Sequence, residues 1–597
     1  MALALGTTAF LVYASDRGIN LFDEGYYLLA SQHPEDVLAW SNSAHVYTAF
    51  LWRLAGEDLA RFRLVGLVLL LAGGGVLGLG YDRLLDRLGL GAAGRIERIA
   101  RVAFVELGVL LYYNLLLPSP CYNLLNAVAL NTGAGLLCAV LASTRDGIAS
   151  RIALAAIGLC AGVSFFVKFS SGISFLALAG VTLLVWPGLP WLTRVRSLML
   201  IAGGLALWLG LHFSLLQPPA AWWHMIRNGI DYIVALDQRY GLASLRNYRR
   251  TFIRVVGRSL RLSWDINLAL VVGLTTLALV GRRWRVVAAA GSRTLVAAAF
   301  VALAWRAYRA DLHWRGHLFG SFFGDFYGAW VLLLLVALAA GCVLQRVAPE
   351  GGASWVRFLV AGSIGGLLPV AAAMGTRDDI IILVLLAMGP FFAALLLLLA
   401  CLSRLYRSPP LLPLGATIIG AFACAQVCVR ALWDLPYGYG VSVAQQTVET
   451  EIGVPPSRIL LAPARSVHVA TLRSVAERCG FRPGDDVLAF YSMPTLVFAL
   501  GGRSPGVPWY VPGRGRWNRG LAAEKVLALV PRERLKRAFL LRAAPDLQRR
   551  GQFPRLYRFG TAFPRDYVLC GQFKDAWTRY DVELWKPRAL EAEPLLP

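Results

Sequence analysis

Apolar runs approaching the roughly 20 residues needed to cross about 30 Å of hydrocarbon recur from the N-terminus to about residue 430. They predict about thirteen transmembrane helices, near residues 2–15, 62–80, 100–117, 123–142, 152–168, 171–186, 198–216, 266–281, 293–308, 326–345, 356–375, 379–402 and 411–430. Met1 to Ala14 has no basic leading stretch, so it reads as a short span rather than a cleaved signal. From Asp434 the pattern becomes mixed and polar. Ile459–Leu461, Val487–Tyr491, Phe539–Leu541 and Val582–Trp585 read as strands, Val467–Cys479 as a helix, Gly480–Asp485 as a turn and Arg514–Gly520 as a loop. The expected fold class is an all-α polytopic membrane domain over 1–430, followed by a smaller outer-face α/β domain over 431–597.

Composition agrees with this pattern. The 597 residues are 57% hydrophobic and 16% charged, too apolar for disorder or a soluble multidomain enzyme. The net charge of +24 rests on arginine, because the only lysines are Lys168, Lys525, Lys536, Lys574 and Lys586. Guanidinium suits phosphate and carboxylate, and in so apolar a chain the anionic partner expected is membrane lipid, with no nucleic acid. The nine cysteines lie mostly in apolar runs without paired spacing, so they are expected as core residues rather than a metal site or a disulfide framework.

Basic residues near span ends mark the cytoplasmic side. Arg83 to Arg101, Arg145 and Arg151, Arg194 and Arg196, Arg282 to Arg293, Arg346 and Arg357, and Arg404 and Arg407 all fall on one side. Residues 16–61, 217–265, 309–325 and everything after 431 are thereby assigned to the outer face of a multi-pass protein of the bacterial inner membrane, with the C-terminal domain extracytoplasmic. The 217–265 loop is also arginine-rich, against the rule. This leaves two readings open: interfacial helices touching headgroups or an anionic ligand, and a solvated basic face.

The first outer loop carries Asn20-Leu21-Phe22-Asp23-Glu24-Gly25-Tyr26-Tyr27. A carboxylate at the membrane face can take a proton from an incoming hydroxyl or amine, with Asp23 the better candidate and Glu24 left to orient it or to bind another group. The structural alternative is a helix first turn, where acids favour the dipole.

The order of a short N-terminal span, this acid-pair loop with its tyrosines, a multispanning core and an outer C-terminal domain resembles the GT-C membrane glycosyltransferases. It is most similar to the branch that holds protein O-mannosyltransferases and lipid A aminoarabinose transferases. The resemblance in topology covers most of residues 1–430, and Asp23, Glu24 and Tyr27 match the motif residue by residue. It implies a polyprenyl-phosphate-linked sugar donor, an unknown glycan, lipid or protein acceptor, and an acid acting as base or acceptor-orienting group, with Tyr26 and Tyr27 beside the substrate.

Such a donor needs cations at the outer face. Lys168, between two spans, is the first candidate, and snorkelling to headgroups is its ordinary alternative. Arg306, Arg309 and Arg315 form a second group with Asp311, His313 and His317. Arg377, in the turn Gly375-Thr376-Arg377-Asp378-Asp379, is a third candidate. His313 and His317 share a helical face, and Asp311 or Asp325 would complete a divalent-cation site, but without an HExxH pattern they also serve as headgroup or substrate contacts. The expectation is no certain cofactor, with a divalent cation left open. Pro118-Ser119-Pro120-Cys121-Tyr122-Asn123 punctuates two helices, and Asn123 caps the second or lines a sugar pocket. Trp509 and Tyr510 stack on a sugar or pack the domain against the core. The rival functions are a transporter or flippase of an amphipathic lipid or lipid-linked glycan, which calls for ionisable groups near the midplane, and a non-catalytic glycan-assembly protein.

Overall fold

The structure, a computed structural model, describes residues 1–91, 94–115, 118–143, 147–236, 242–280, 283–315, 355–375, 383–406, 408–433, 440–511, 520–543, 553–574, 576–577 and 581–590. Hydrocarbon offers no partner to backbone N–H and C=O groups, so the apolar runs close their hydrogen bonds locally as helices. These are α1 (Ala2–Tyr13), α4 (Leu59–Arg87), α5 (Arg95–Leu110), α6 (Tyr122–Ala142), α7 (Ile148–Val167), α8 (Phe169–Val185), α9 (Trp191–Leu211), α11 (Leu242–Val280), α12 (Arg285–Arg315), α13 (Trp355–Ala373), α14 (Gly389–Leu405) and α15 (Leu411–Trp433). Between them lie the short helices α2 (Asp23–Gln32) and α3 (Ala44–Leu54), and α10 (Pro219–Leu236).

Among the described residues, seven helices are long and apolar enough to cross a membrane, and four shorter ones are apolar. The predicted run at 326–345 lies outside the described residues. The run at 100–117 corresponds to α5, which opens on Arg95, Glu97, Arg98 and Arg101 and ends in a 3-10 turn over Leu111–Leu115; its charged first half keeps it out of both groups. The arginine-rich outer loop is not separate from the next span either, since α11 runs through both as one helix of 39 residues. Arg249, Arg250, Arg254 and Arg261 are exposed along it.

Close helix packing rests on absent side chains, as small residues allow. A Cβ on Gly204 of α9 would strike the Ala155 carbonyl of α7, and one on Gly80 of α4 would strike the Gly135 carbonyl of α6.

Among the described residues, all strands lie after residue 447. β1 (Val448–Ile452) and β2 (Ser457–Leu461) form an antiparallel hairpin in register Thr450 to Ile459. β3 (Val487–Phe490), β4 (Phe539–Ala543), β5 (Tyr567–Lys574) and β6 (Asp581–Pro587) form one sheet in the order β3-β4-β6-β5. β3 and β4 are parallel, with Val487 opposite Phe539, and the other pairs are antiparallel. Four of these strands coincide with the expected ones. β1 and β5 are additional, and the expected loop at 514–519 lies outside the described residues.

One expectation is overturned. Cys479, which follows α16 (Pro463–Arg478), forms a disulfide with Cys570 on β5 across a sequence separation of 91 residues. Both lie in the polar C-terminal part, where the apolar-run argument for core cysteines does not apply. Reductant is expected to cost this unit about 4–5 kcal/mol by chain entropy. The check is a lower thermal midpoint for the purified protein with reductant, matched by Cys479→Ser/Cys570→Ser without it.

The strand-bearing unit seats on the loop after α1. Leu460 N donates to Asp16 O at 2.7 Å and Gly18 N donates to Leu460 O at 2.8 Å. Arg503 pairs with Glu35 at 2.7 Å and Asp36 at 2.9 Å, and Arg534 bridges Asp36 at 2.8 Å to Asp486.

Candidate functional site

The loop after α1 turns at Gly18 and Asn20 and restarts as α2. Asn20 Oδ1 accepts the backbone N–H groups of Phe22 at 2.8 Å and Asp23 at 3.0 Å, satisfying donors that a helix start leaves open. Asp23 and Glu24 then occupy the first turn, where the helix dipole favours negative charge.

The two acids have different surroundings. Glu24 is fully buried. Its Oε1 accepts from Arg63 Nε at 2.9 Å and Ser119 Oγ at 2.6 Å, and its Oε2 accepts from the Asn20 N–H at 3.1 Å. Arg63, on α4 and 2% exposed, spends its other donors on the carbonyls of Ser15 and Gly18, each at 2.8 Å. A buried carboxylate and guanidinium so fully bonded form a rigid clamp between the loop after α1, α4 and the Pro118–Pro120 corner. Asp23, next in the chain, stays half-buried at the N-terminal tip of α2.

An aromatic wall stands beside Asp23. Tyr26 lies 4.7 Å, ring to ring, from both Tyr27 and Trp40, and 6.3 Å from Trp509 of the C-terminal unit. Tyr27 meets Tyr122 at 6.2 Å. Burial above all, with help from nearby Tyr122, Cys121 and Asp23, pushes the Tyr26 and Tyr27 hydroxyls well up. Both stay neutral donors at any physiological pH. Tyr510 is buried instead and donates to the Pro505 carbonyl at 2.5 Å.

The C-terminal unit closes over α2. Thr495 Oγ1 donates to Asn20 O at 2.5 Å, and Trp577 Nε1 donates to Ile19 O at 3.3 Å. Gly25 sits directly under Thr495, so a Cβ there would strike the Thr495 backbone. Gly25→Ala is therefore expected to separate the two parts. Limited proteolysis is expected to release the C-terminal unit from the variant at least about tenfold faster than from wild type, in the regime where cleavage tracks the open fraction.

The remaining candidates are spread more widely. Asn123 is half-buried in the first turn of α6, with its backbone N–H against the Cys121 sulfur. Lys168 joins α7 to α8, is 8% exposed, and donates from Nζ to Ala372 O at 2.6 Å at the end of α13. Arg306 pairs bidentately with Asp265 of α11 at 2.5 Å and 2.6 Å, so the nearest anion to it is internal. Arg309 is exposed, with its guanidinium 5.9 Å from the Trp305 ring centre. Asp311, His313 and Arg315 lie in the last turns of α12, with their side chains outside the described set. His317, Asp325 and Arg377 are outside the described residues. Sequence reasoning missed Arg63, Thr495 and Trp40. Arg63 had a signal, being an arginine inside the apolar run at 62–80.

One described cluster of acid and histidine groups has its acids engaged by arginine. His33, Glu35 and Asp36 come within reach of one another, but Arg503 already neutralises Glu35 and Asp36, and Arg534 takes the other Asp36 oxygen. Burial and then Arg503 hold the His33 imidazole below its ordinary range.

No family model matches the chain, and no curated protein sequence matches it. Among solved structures, it is similar to ArnT from Cupriavidus metallidurans bound to undecaprenyl phosphate, at 14% identity and a TM-score of 0.40, covering 98% of this chain and 97% of that one. It is also similar to the Archaeoglobus fulgidus oligosaccharyltransferase in complex with zinc and sulfate, at 10% identity and a TM-score of 0.44, covering 91% of this chain and 68% of that one. At these scores the likeness is one of general shape.

Proposed function

We propose that this protein is a multi-pass membrane glycosyltransferase that moves a sugar from a polyprenyl-phosphate donor to an envelope glycan, glycolipid or protein acceptor on the outer face of the bacterial inner membrane. The observation that carries the reading is the split environment of two adjacent acids. Glu24 is locked into an ion pair and hydrogen bonds, whereas Asp23 stands half-buried beside an aromatic wall. Neighbouring acids with contrasting environments suit a fixed orienting group beside a working base.

In this mechanism Asp23 accepts the proton of the acceptor O–H or N–H as that atom attacks the anomeric carbon. The bond from that carbon to the phosphate oxygen breaks, and polyprenyl phosphate leaves with the electron pair. Glu24, through Arg63, positions α2. The Tyr26, Trp40 and Trp509 rings offer flat faces and N–H and O–H donors to a sugar. Lys168, Arg306, Arg309, Arg315 and Arg377 are the cations proposed for the donor phosphate, where they would stabilise the charge that grows on it. Of these, Lys168 has the better support, because it is a buried cation at the turn between two helices. Arg306 has the weaker support, because Asp265 already engages it. Asn123 and His317 are proposed as substrate contacts. The working division is a membrane unit over 1–430 and an outer α/β unit over 431–597, whose disulfide supports an extracytoplasmic position.

The test is deletion of the gene in its host with and without complementation by wild type, followed by mass spectrometry of envelope glycans, glycolipids and proteins. A species lighter by one sugar in the deletion, restored by wild type, is the expected result and identifies the acceptor. Unchanged glycosylation with a lipid-linked sugar trapped on one leaflet would favour the flippase instead.

A further inference from the structure

An acid in the third apolar run escapes a reading based on span ends. Glu106 lies on α5 and packs against α4, where a Cβ placed on Gly74 would stand 2.9 Å from the Glu106 Cδ and 3.0 Å from Oε1. A Cβ on Gly75 would meet nothing within 4 Å except the same Oε1, at 3.5 Å. The glycines at this point of α4 thus form a notch filled by one carboxyl group. Gly74 is near the middle of the 29-residue α4, so the notch sits deep in the apolar part of the helix.

Nothing in the notch answers a negative charge. Glu106 Oε2 is buried with no hydrogen-bond partner among the described residues, and the backbone N–H groups of α4 are spent within its own helix. The charges on neighbouring elements are engaged elsewhere. Arg101 of α5 bonds Glu97, Asp82 and the Leu90 carbonyl, and Arg98 bonds Asp82 and Asp86 of α4. Arg63 of α4 holds Glu24, while Arg61, Arg83 and Arg87 lie towards the ends of that helix. Arg404 of α14 reaches the Gly89 carbonyl. Arg430 lies in the last turn of α15, and α1 contributes no acid or base beyond the Met1 terminus and Tyr13. No described charge acts on Glu106. A carboxylate left unpaired in such surroundings costs several kcal/mol, whereas a carboxylic acid costs far less.

The notch is not sealed. Glu106, Gly75, Val102 and Ala103 are each half-buried, and Leu79 and Ile99 beside them are exposed apolar side chains, 52% and 44%, of the kind that face lipid. We propose that Glu106 is a proton-binding site set within the apolar span, a neutral carboxylic acid seated in the Gly74–Gly75 notch and open to the lipid side of the α4–α5 seam. The proton exchanges only when the seam parts and water enters. Because α4 also carries Arg63, occupancy of this site and the clamp on Glu24 share one helix. The proposal does not depend on glycosyl transfer.

Dicyclohexylcarbodiimide tests it, since this reagent partitions into lipid and reacts with protonated carboxyl groups. The acid O–H adds across one C=N bond, the proton going to nitrogen and the oxygen to carbon, and the acyl group then migrates to nitrogen. No group leaves, so the peptide gains the full mass of the reagent. The full-length protein in phosphatidylcholine–phosphatidylglycerol vesicles at pH 7 would be treated and mapped by peptide mass spectrometry. The expected result is labelling concentrated on Glu106, at least about tenfold above that by a water-soluble carbodiimide, as partition into an apolar site requires. The label is expected to be absent in Glu106→Gln, a neutral variant of the same shape that keeps the wild-type thermal midpoint. An unlabelled Glu106 in wild type, equal labelling by the water-soluble reagent, or labelling spread evenly over Asp82, Asp86 and Glu97 would each overturn the proposal.

Discussion

Asp23→Asn is expected to lower sugar transfer by about 100- to 10,000-fold, the usual contribution of a positioned general base, with little change in thermal midpoint. The amide keeps the shape of the side chain and leaves the Asn20 bonds to the start of α2 intact, but it cannot take the acceptor proton. Glu24 cannot substitute, because its oxygens already accept from Arg63, Ser119 and Asn20. The measurement is product per unit of membrane-inserted protein, in the deletion strain and in purified membranes. Full activity of Asp23→Asn would remove the acid from the mechanism, and would return a non-catalytic or transport role to consideration even if the deletion alters a glycan.

Arg63→Met is expected to destabilise the protein by about 3–5 kcal/mol, as when one partner of a buried ion pair is removed. The loss has two sources. Glu24 remains as an uncompensated buried carboxylate, and the carbonyls of Ser15 and Gly18 lose their donors. Glu24→Gln with Arg63→Met should recover part of that cost, since no charge is then stranded. Thermal midpoints in detergent for the two single variants and the double variant give the coupling. Additive losses would show that the pair is not a clamp. Because the clamp fixes the start of α2, activity in Arg63→Met should fall even below the unfolding temperature.

The membrane part was legible in the sequence because a helix across hydrocarbon must spend about 20 apolar residues in one stretch. That rule locates α4, α6, α7, α9 and α13 without knowledge of their neighbours. It reads α5 less well, because Arg98 and Arg101 are paired with Glu97, Asp82 and Asp86 rather than marking a simple span end. The acid pair was visible as a local motif, but the difference between its members was not, since Arg63 lies 39 residues from Glu24 and Ser119 lies 95 away. The same limit hid the disulfide, whose partners are 91 residues apart. β1 escaped notice because three of its five residues are exposed, and β5 because its pattern is broken by the register shift between Leu569 and Gly571. Local chemistry announces a candidate residue, and contacts between distant parts of the chain decide what that residue is able to do.

The seating of Thr495, Leu460 and Trp577 on the loop at residues 16–25 also sets an order of events during synthesis. The acid-bearing loop leaves the ribosome well before the residues that cover it, which lie 475 and 558 residues further along the chain at Thr495 and Trp577. Until they arrive, α2 has neither its lid nor its aromatic neighbour Trp509, so a nascent or prematurely terminated chain carries the acid pair without a completed site. In the proposed mechanism, sugar transfer therefore waits until the residues that cover α2 have been made and seated.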